Sequence, residues 1–217
     1  MKVFAEFIKE NGVTYRKITL LQFGDSWELI GSAVLKNPGS SKPLNSISNE
    51  SFRQIENLYP KKRLEKSNWF DFSVDSTMRF LEKIFNGSYI EDEPKRELNG
   101  VIQLFNLFYI NDPDIKSANE KSLNNSSKHL TIDADSTIKM FNEKPVFLGW
   151  KSEYELNEIR KIQAEKIFDY VSKSKYMYLN PSMNDNKFYH PIYANRASKS
   201  NKDLKDTLNK FNELFKI

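Results

Sequence analysis

The sequence predicts a single α/β domain over residues 1–217: a three-layer sandwich with a mostly parallel central sheet, helices on both faces and an N-terminal antiparallel hairpin at the edge. Three observations carry that expectation. Runs apolar on both sides, rather than alternating, recur at 27–35, 100–110, 145–150 and 176–179, as in strands covered on both faces. Amphipathic stretches separate them, giving the order strand, helix, strand, helix, strand, helix. Asn11-Gly12 lies between two extended patterns, a strong hairpin signal.

The elements follow in order. Val3 to Ile8 and Val13 to Leu21 form the hairpin, and Gly24-Asp25 turns the chain into the first buried run. Lys36-Asn37-Pro38-Gly39-Ser40-Ser41 ends that run, because Pro and Gly stop regular structure. A helix is predicted over Asn49 to Leu58. Val74, Met78, Leu81 and Phe85 make one apolar stripe, with Ser73 or Asp75 as its start and Asn86-Gly87 as its stop. The second buried run ends in Asn111-Asp112-Pro113. The polar stretch Lys116 to Lys128 reads either as a loop or as the outer face of a helix. Asp133 caps a short helix reaching Phe141, and Pro145 to Trp150 is the third strand. A long helix over Glu153 to Ser172 sets Leu156, Ile159, Ile162, Ile167 and Val171 near one side. Tyr176 to Leu179 is a fourth strand, Asn180 to Ser200 an irregular loop, and Leu204, Leu208, Phe211 and Phe215 mark a closing helix.

Composition removes several classes of function. With no Cys and only His129 and His190, the chain has no disulfide framework, thiol nucleophile or Cys-based zinc site, and no multi-His metal site is expected. No metal and no cofactor are expected. No apolar run approaches the ~18 residues of a membrane span. The opening MKVFAEFIKENG lacks a long apolar core, so the expected compartment is the cytoplasm, with no membrane partner. Lys+Arg number 33 against 29 Asp+Glu, a formal net charge of +4, which suits nucleic acid without requiring it. The one compact basic cluster, Lys61-Lys62-Arg63 after Tyr59, reads as a solvated loop or as a phosphate contact.

Ligands of open α/β sheets sit beyond the carboxyl ends of the strands, and the unusual residues collect there. Asn37, Pro38, Gly39 and Ser40 follow the first buried strand, where they serve as a turn or as a platform for an anion, a base or a water. Asn106 lies inside an apolar run, so its amide needs a partner, either a neighbouring loop or a ligand. Trp150 ends the third strand as core or as a stacking wall, and Asn180 ends the fourth. His190 stands before Pro191, as a structural residue or as an acid, a base or a phosphate donor, with Tyr193 close behind. Asp75 is a helix cap and the one well-placed carboxylate base; Thr77 and Arg79 border it, Arg79 being able to pair with Asp75 or with a phosphate. There is no GxGxxG, Walker A, HExxH or GxSxG motif.

These motifs, in this order, resemble the uncharacterised bacterial and phage family called "domain of unknown function 1643". The counterparts are Tyr15-Arg16, Asn37-Pro38-Gly39-Ser40, Asp75-Ser76-Thr77-Met78-Arg79, Asn106-Leu107-Phe108, Gly149-Trp150 and His190-Pro191-Ile192-Tyr193. The chain departs from the family in Gly39, where Ser is usual, in the reversed Gly149-Trp150 step, and in Asn111, near which the family tends to carry an Arg. A fainter likeness links Asn37-Pro38-Gly39, and Asn180-Pro181-Ser182 or His190-Pro191, to the uracil-DNA glycosylase superfamily, also a three-layer α/β fold. That likeness implies an Asn that positions water, a His or Asn that stabilises a departing base, and Trp150 or Tyr109 stacking on a flipped base.

The sequence reading of function is therefore a protein that binds a nucleotide or a nucleic-acid base at the strand ends, with a glycosylase-like hydrolase as its enzymatic form. Asn37, Asp75 and His190 would be the catalytic residues. The alternative is a non-enzymatic interaction or regulatory protein of phage or mobile-element origin, which a large exposed apolar patch would favour.

Overall fold

The computed structural model describes residues 1–217 apart from 40, 92, 113, 124–126, 152–157, 175–177, 179–182, 184–186 and 217. Its elements are β1 (Lys2–Glu10), β2 (Val13–Phe23), β3 (Leu29–Leu35), β4 (Asn45–Ser46), α1 (Asn49–Leu58), β5 (Trp69–Asp71), α2 (Ser76–Phe85), β6 (Gly100–Asn106), α3 (Ile115–Leu123), α4 (Ala134–Met140), β7 (Val146–Gly149), α5 (Glu158–Lys173), α6 (Pro191–Ala197) and α7 (Lys202–Glu213). The strands form one seven-stranded sheet in the order β4-β5-β1-β2-β6-β3-β7.

The fold is α/β, an open mixed sheet with helices, but the parallel majority does not hold. Only β3–β6 and β3–β7 pair parallel, while β1–β2, β1–β5, β2–β6 and β4–β5 are antiparallel. Nor does the hairpin lie at an edge. β1 and β2 occupy the middle of the sheet, because β5 and β4, only three and two residues long, add outside β1. Strands this short carry no readable periodicity.

Each helix that the sequence marked clearly is present. Ser48 and Asp75 cap α1 and α2 by accepting from Ser51 N and Met78 N, and Asp133 caps α4. The first part of the polar stretch lies in α3, Ile115–Leu123. Two expectations fail. The loop predicted over 180–200 contains α6, since Pro191 at the first helical position costs no hydrogen bond. Ile159 and Ile162 are exposed, at 56% and 43%, while α5 buries Arg160, Ala164, Ile167, Phe168 and Val171. The fourth strand predicted over 176–179 falls, apart from Tyr178, outside the described residues.

One irregularity decides which side chains face which way. Between Ala5↔Thr19 and Phe7↔Arg16, Glu6 alone stands opposite Lys17 and Ile18, a bulge in β2. Across it the register puts Arg16 and Thr19 on the face of Leu104 and Asn106, and Lys17 and Ile18 on the face of Gln103 and Phe105. The first face carries α2, α6 and α7: Phe85 and Phe147 both meet Phe211 edge-on, at 5.2 and 5.4 Å between centroids. The second carries α1 and α4, where Phe105 meets Phe141 at 6.0 Å. No described helix is long and apolar enough to cross a membrane.

Candidate functional site

The parallel strands end level. Leu35 is in register with Asn106 on one side and with Gly149 on the other. Three connections therefore leave the sheet side by side: Lys36-Asn37-Pro38-Gly39, Leu107-Phe108 and Trp150-Lys151. Leu107 N donates to Leu35 O at 2.8 Å and Phe108 N to Lys36 O at 3.2 Å, which ties the first two together. Gly39 takes φ +71°, a conformation that favours glycine, and a side chain there would meet open space.

β2 brings Arg16 to the same level, its N–H donating to Tyr109 O at 2.8 Å. The side chain is only 2% exposed. Its guanidinium donates to the Pro38 carbonyl and lies 5.0 Å from the Phe72 ring centroid. Burial pulls its pKa from the ordinary 12.5 to about 10, with Asp75 opposing the shift, so it remains a cation at neutral pH. Asp75 spends one oxygen on Met78 N, at 2.9 Å. Arg79 is exposed and makes no ion pair with Asp75, and Thr77 is half-buried in the first turn of α2.

Asn106 is the anomaly of this region. It is 1% exposed, and neither Oδ1 nor Nδ2 has a hydrogen-bond partner among the described residues. The same holds for Nε and Nη1 of Arg16 and for Nε1 of Trp150. Buried polar groups are paired in the great majority of cases, so the three donors and one acceptor left over on Asn106 and Arg16, which share one face of the sheet, mark a place built for something else. Trp150 is fully buried with its ring 4.9 Å from that of Phe188, which makes it floor rather than an exposed wall. Asn111 donates to Ser41 O at 3.2 Å, the tie between loops that Asn106 does not make.

On the β7 side, Lys151 N donates to Phe188 O at 2.7 Å, laying the chain before α6 along the strand end. His190 caps α6 through Nδ1, which accepts from Ile192 N at 3.4 Å. Burial, with Lys36 and Lys151 nearby, pushes its imidazole from 6.5 down to about 4. It is therefore neutral at physiological pH. With Nδ1 accepting, the ring proton is assigned to Nε2, which becomes a hydrogen-bond donor. Lys151 Nζ donates to Tyr193 Oη at 2.6 Å and, with Lys36 and Arg196, pulls the Tyr193 phenol below its usual range. The rim is thus cationic and the interior donor-rich, an arrangement that receives an anion.

The structure brings Asn37, Pro38, Gly39, Asp75, Asn106, Trp150, His190 and Tyr193 to one end of the sheet. Ser40 and Asn180 lie outside the described residues. Sequence reasoning passed over Arg16, Lys36 and Lys151 as site residues. An arginine inside a largely buried strand was the available signal for the first; a lysine one or two residues past the ends of β3 and β7 was the signal for the others.

The acidic pair Asp112/Asp114 is satisfied internally: Lys121 and Ser117 donate to Asp112, which is held below the usual carboxylate range chiefly by Lys121. No described group of three or more His, Asp or Glu is placed to hold a metal ion. The large exposed apolar side chains among the described residues are Met1, Leu44, Ile159 and Ile162. Comparison with protein-family models, with curated proteins and with solved structures found no match.

Proposed function

We propose that the chain binds an anionic ligand carrying a nucleobase, a nucleotide or a base of a nucleic acid, at the carboxyl ends of β3, β6 and β7. The observation that carries this is the buried, unpartnered amide of Asn106 beside a cationic rim. A carboxamide offers one donor and one acceptor side by side, the pattern on the edge of a nucleobase. Lys36 and Lys151 supply the charge for a phosphate, and the Nε2–H of neutral His190 supplies a directional donor. The likeness of Asn37-Pro38-Gly39 and His190-Pro191 to uracil-DNA glycosylase motifs supports the same reading, while the resemblance to the "domain of unknown function 1643" family supports a shared site rather than a reaction.

A hydrolytic form has a specific observation in its favour. A neutral imidazole that donates through Nε2 stabilises negative charge on a departing base without giving up a proton. Asn37, on the first connection, would position the attacking water, and Asp75 would accept its proton.

The test is a thermal-shift and calorimetry panel of nucleobases, nucleosides, mono- and triphosphates and short oligonucleotides, against the wild type and Asn106→Ala. A true ligand at about a hundred times its dissociation constant adds roughly 2.7 kcal/mol. That stabilisation is expected for a base-bearing anion and not for inorganic phosphate, and it disappears in Asn106→Ala. A panel with no response, or a response that Asn106→Ala retains, sinks the proposal.

A further inference from the structure

The opposite face of the sheet holds a second region that the strand-end site does not use. A groove of about 1160 Å³ runs between α1 with its following turn and α4. This exceeds the ~300–1,000 Å³ of an ordinary small-molecule pocket. Ile18 and Phe105 contribute to its floor. Gln103 bridges the two walls beneath it: Tyr59 Oη donates to Gln103 Oε1 at 2.9 Å, and Gln103 Nε2 donates to Met140 O at 2.6 Å and to Ser32 Oγ at 2.8 Å. The end of α1 and the end of α4 are thereby held at a fixed separation.

The lining is basic on both sides. Lys61 and Lys62 stand on one wall, Lys62 paired with Glu6 at 3.5 Å, Lys139 and Lys144 on the other, and Lys128 and Lys17 complete the set, against Glu28, Asp133 and Asp135. Two of the three carboxylates are engaged, Asp135 by Lys166 at 2.9 Å and Asp133 as the cap of α4. Lys17 is the informative member. The bulge turns it into the groove, half-buried, with its ammonium 5.9 Å from the Tyr109 ring centroid, and it makes no ion pair among the described residues. Burial pulls it below its ordinary pKa; Glu6 and Asp133 oppose the shift, and Lys62 and Lys128 add to it. A half-buried cation without an ion pair among the described residues, at the bottom of a trough lined by six lysines and three carboxylates, takes an anion from outside.

We propose that this groove binds single-stranded nucleic acid through its phosphodiester backbone. Lysines spread over both walls suit a linear polyanion, whereas one phosphate calls for donors converging on one point. Lys17 lies at the floor between bridged walls, within reach of a single strand that enters the groove; the phosphates of a duplex stay at the rim. Gln54, Asn57 and Asn142 also line the groove, but its charge comes from six lysines, so recognition is mainly of the phosphate backbone and electrostatic.

The experiment is fluorescence anisotropy of the full chain with a labelled oligothymidylate of about 12 nucleotides, at about 50 to 200 mM salt, with duplex DNA, inorganic polyphosphate and ATP as competitors. The single strand is expected to bind most tightly. Its log affinity should fall linearly with log salt, and the slope should lose roughly 0.7 for each phosphate contact removed. Lys17→Gln and the double variant Lys61→Gln/Lys139→Gln should each weaken binding about 5- to 20-fold, matching the 1–2 kcal/mol of one or two lost charge-assisted contacts. Lys83→Gln, on the opposite face, should change nothing. The wall variant keeps the test sound should Lys17→Gln fold poorly. No binding at the lowest salt, preference for duplex or polyphosphate, or affinity unchanged in both groove variants overturns the proposal. Binding that survives both variants yet competes with ligands of the strand-end site would move the oligonucleotide there, so the two proposals fail separately.

Discussion

Arg16 and Lys17 are neighbours in the chain and meet opposite fates. Arg16 is buried on the face of α2 and α6, where it clasps the Pro38 carbonyl and stacks on Phe72. Lys17, turned over by the bulge, lies on the face of α1 and α4 with an aromatic ring and no described counter-ion. Around Arg16 the guanidinium clasps one carbonyl, and its Nε and Nη1 and both amide atoms of Asn106 go without a partner among the described residues. Around Lys17 the neutral group, Gln103, is fully engaged and the cation is the one left over. An orphaned amide demands geometry from a ligand; an orphaned cation demands only charge. One region is thus suited to selecting a ligand and the other to holding a polymer.

The largest break in this contrast should come from Arg16→Ala. It removes a buried cation that holds the first connection in place and leaves a hole against Phe72 and the Asp75 charge without its nearest counterweight. A loss of about 3–5 kcal/mol in urea unfolding is expected. A loss under about 1 kcal/mol would mean that Arg16 does not organise the strand ends.

His190 comes next, through pH. Its folded value of about 4 lies below the unfolded 6.5, so the unfolded chain binds the extra proton between those values. The stability it contributes is present above 6.5 and is lost as the pH falls towards 4. Each pH unit in that window is worth about 1.4 kcal/mol, about 3 kcal/mol in all. His190→Gln should flatten that part of the profile, measured as the chemical-denaturation midpoint from neutral to acid; an unchanged slope would place His190 in a solvated setting.

Asn106→Leu keeps shape and removes an unpaired buried amide. It should raise stability by about 1–3 kcal/mol while abolishing ligand binding at the strand ends. A destabilised Asn106→Leu would reveal that the amide has partners in solution. The smallest effect belongs to Lys17→Met, within about 0.5 kcal/mol of wild type near neutrality. Because the Lys17 pKa is depressed on folding, wild-type stability should climb as pH approaches the ordinary lysine value of 10.5, and the Met variant should lack that rise.

Much of this was legible in the chain. Val74, Met78, Leu81 and Phe85 with the Asp75 cap announced α2, and the apolar runs at 27–35, 100–110 and 145–150 announced the strands β3, β6 and β7, the last two ending a little earlier than expected. The candidate residues at the strand ends were readable because Asn, His and Pro-Gly steps stand out against apolar runs. The antiparallel majority was not readable. Lys2, Glu6, Lys9 and Glu10 give β1 the look of an edge, yet Glu6 is only 6% exposed and meets Lys62 at 3.5 Å across sequence. The partners that cover β1 are three residues, Trp69–Asp71, with no periodicity of their own. His190-Pro191 reads equally well as a turn or as the start of α6.

By itself, then, the sequence determined the types of the longer elements and placed polar residues at the ends of buried strands, since propensity, capping and periodicity act over a few neighbouring residues. Strand order, the central place of the hairpin and the face of the sheet that Arg16 and Lys17 each take were decided by tertiary structure. So was the difference between a satisfied Gln103 and an unsatisfied Asn106. Pairing joins residues far apart in the chain, a single bulged residue reverses every side chain beyond it, and a buried amide is paired or orphaned according to what the rest of the fold brings within hydrogen-bond reach.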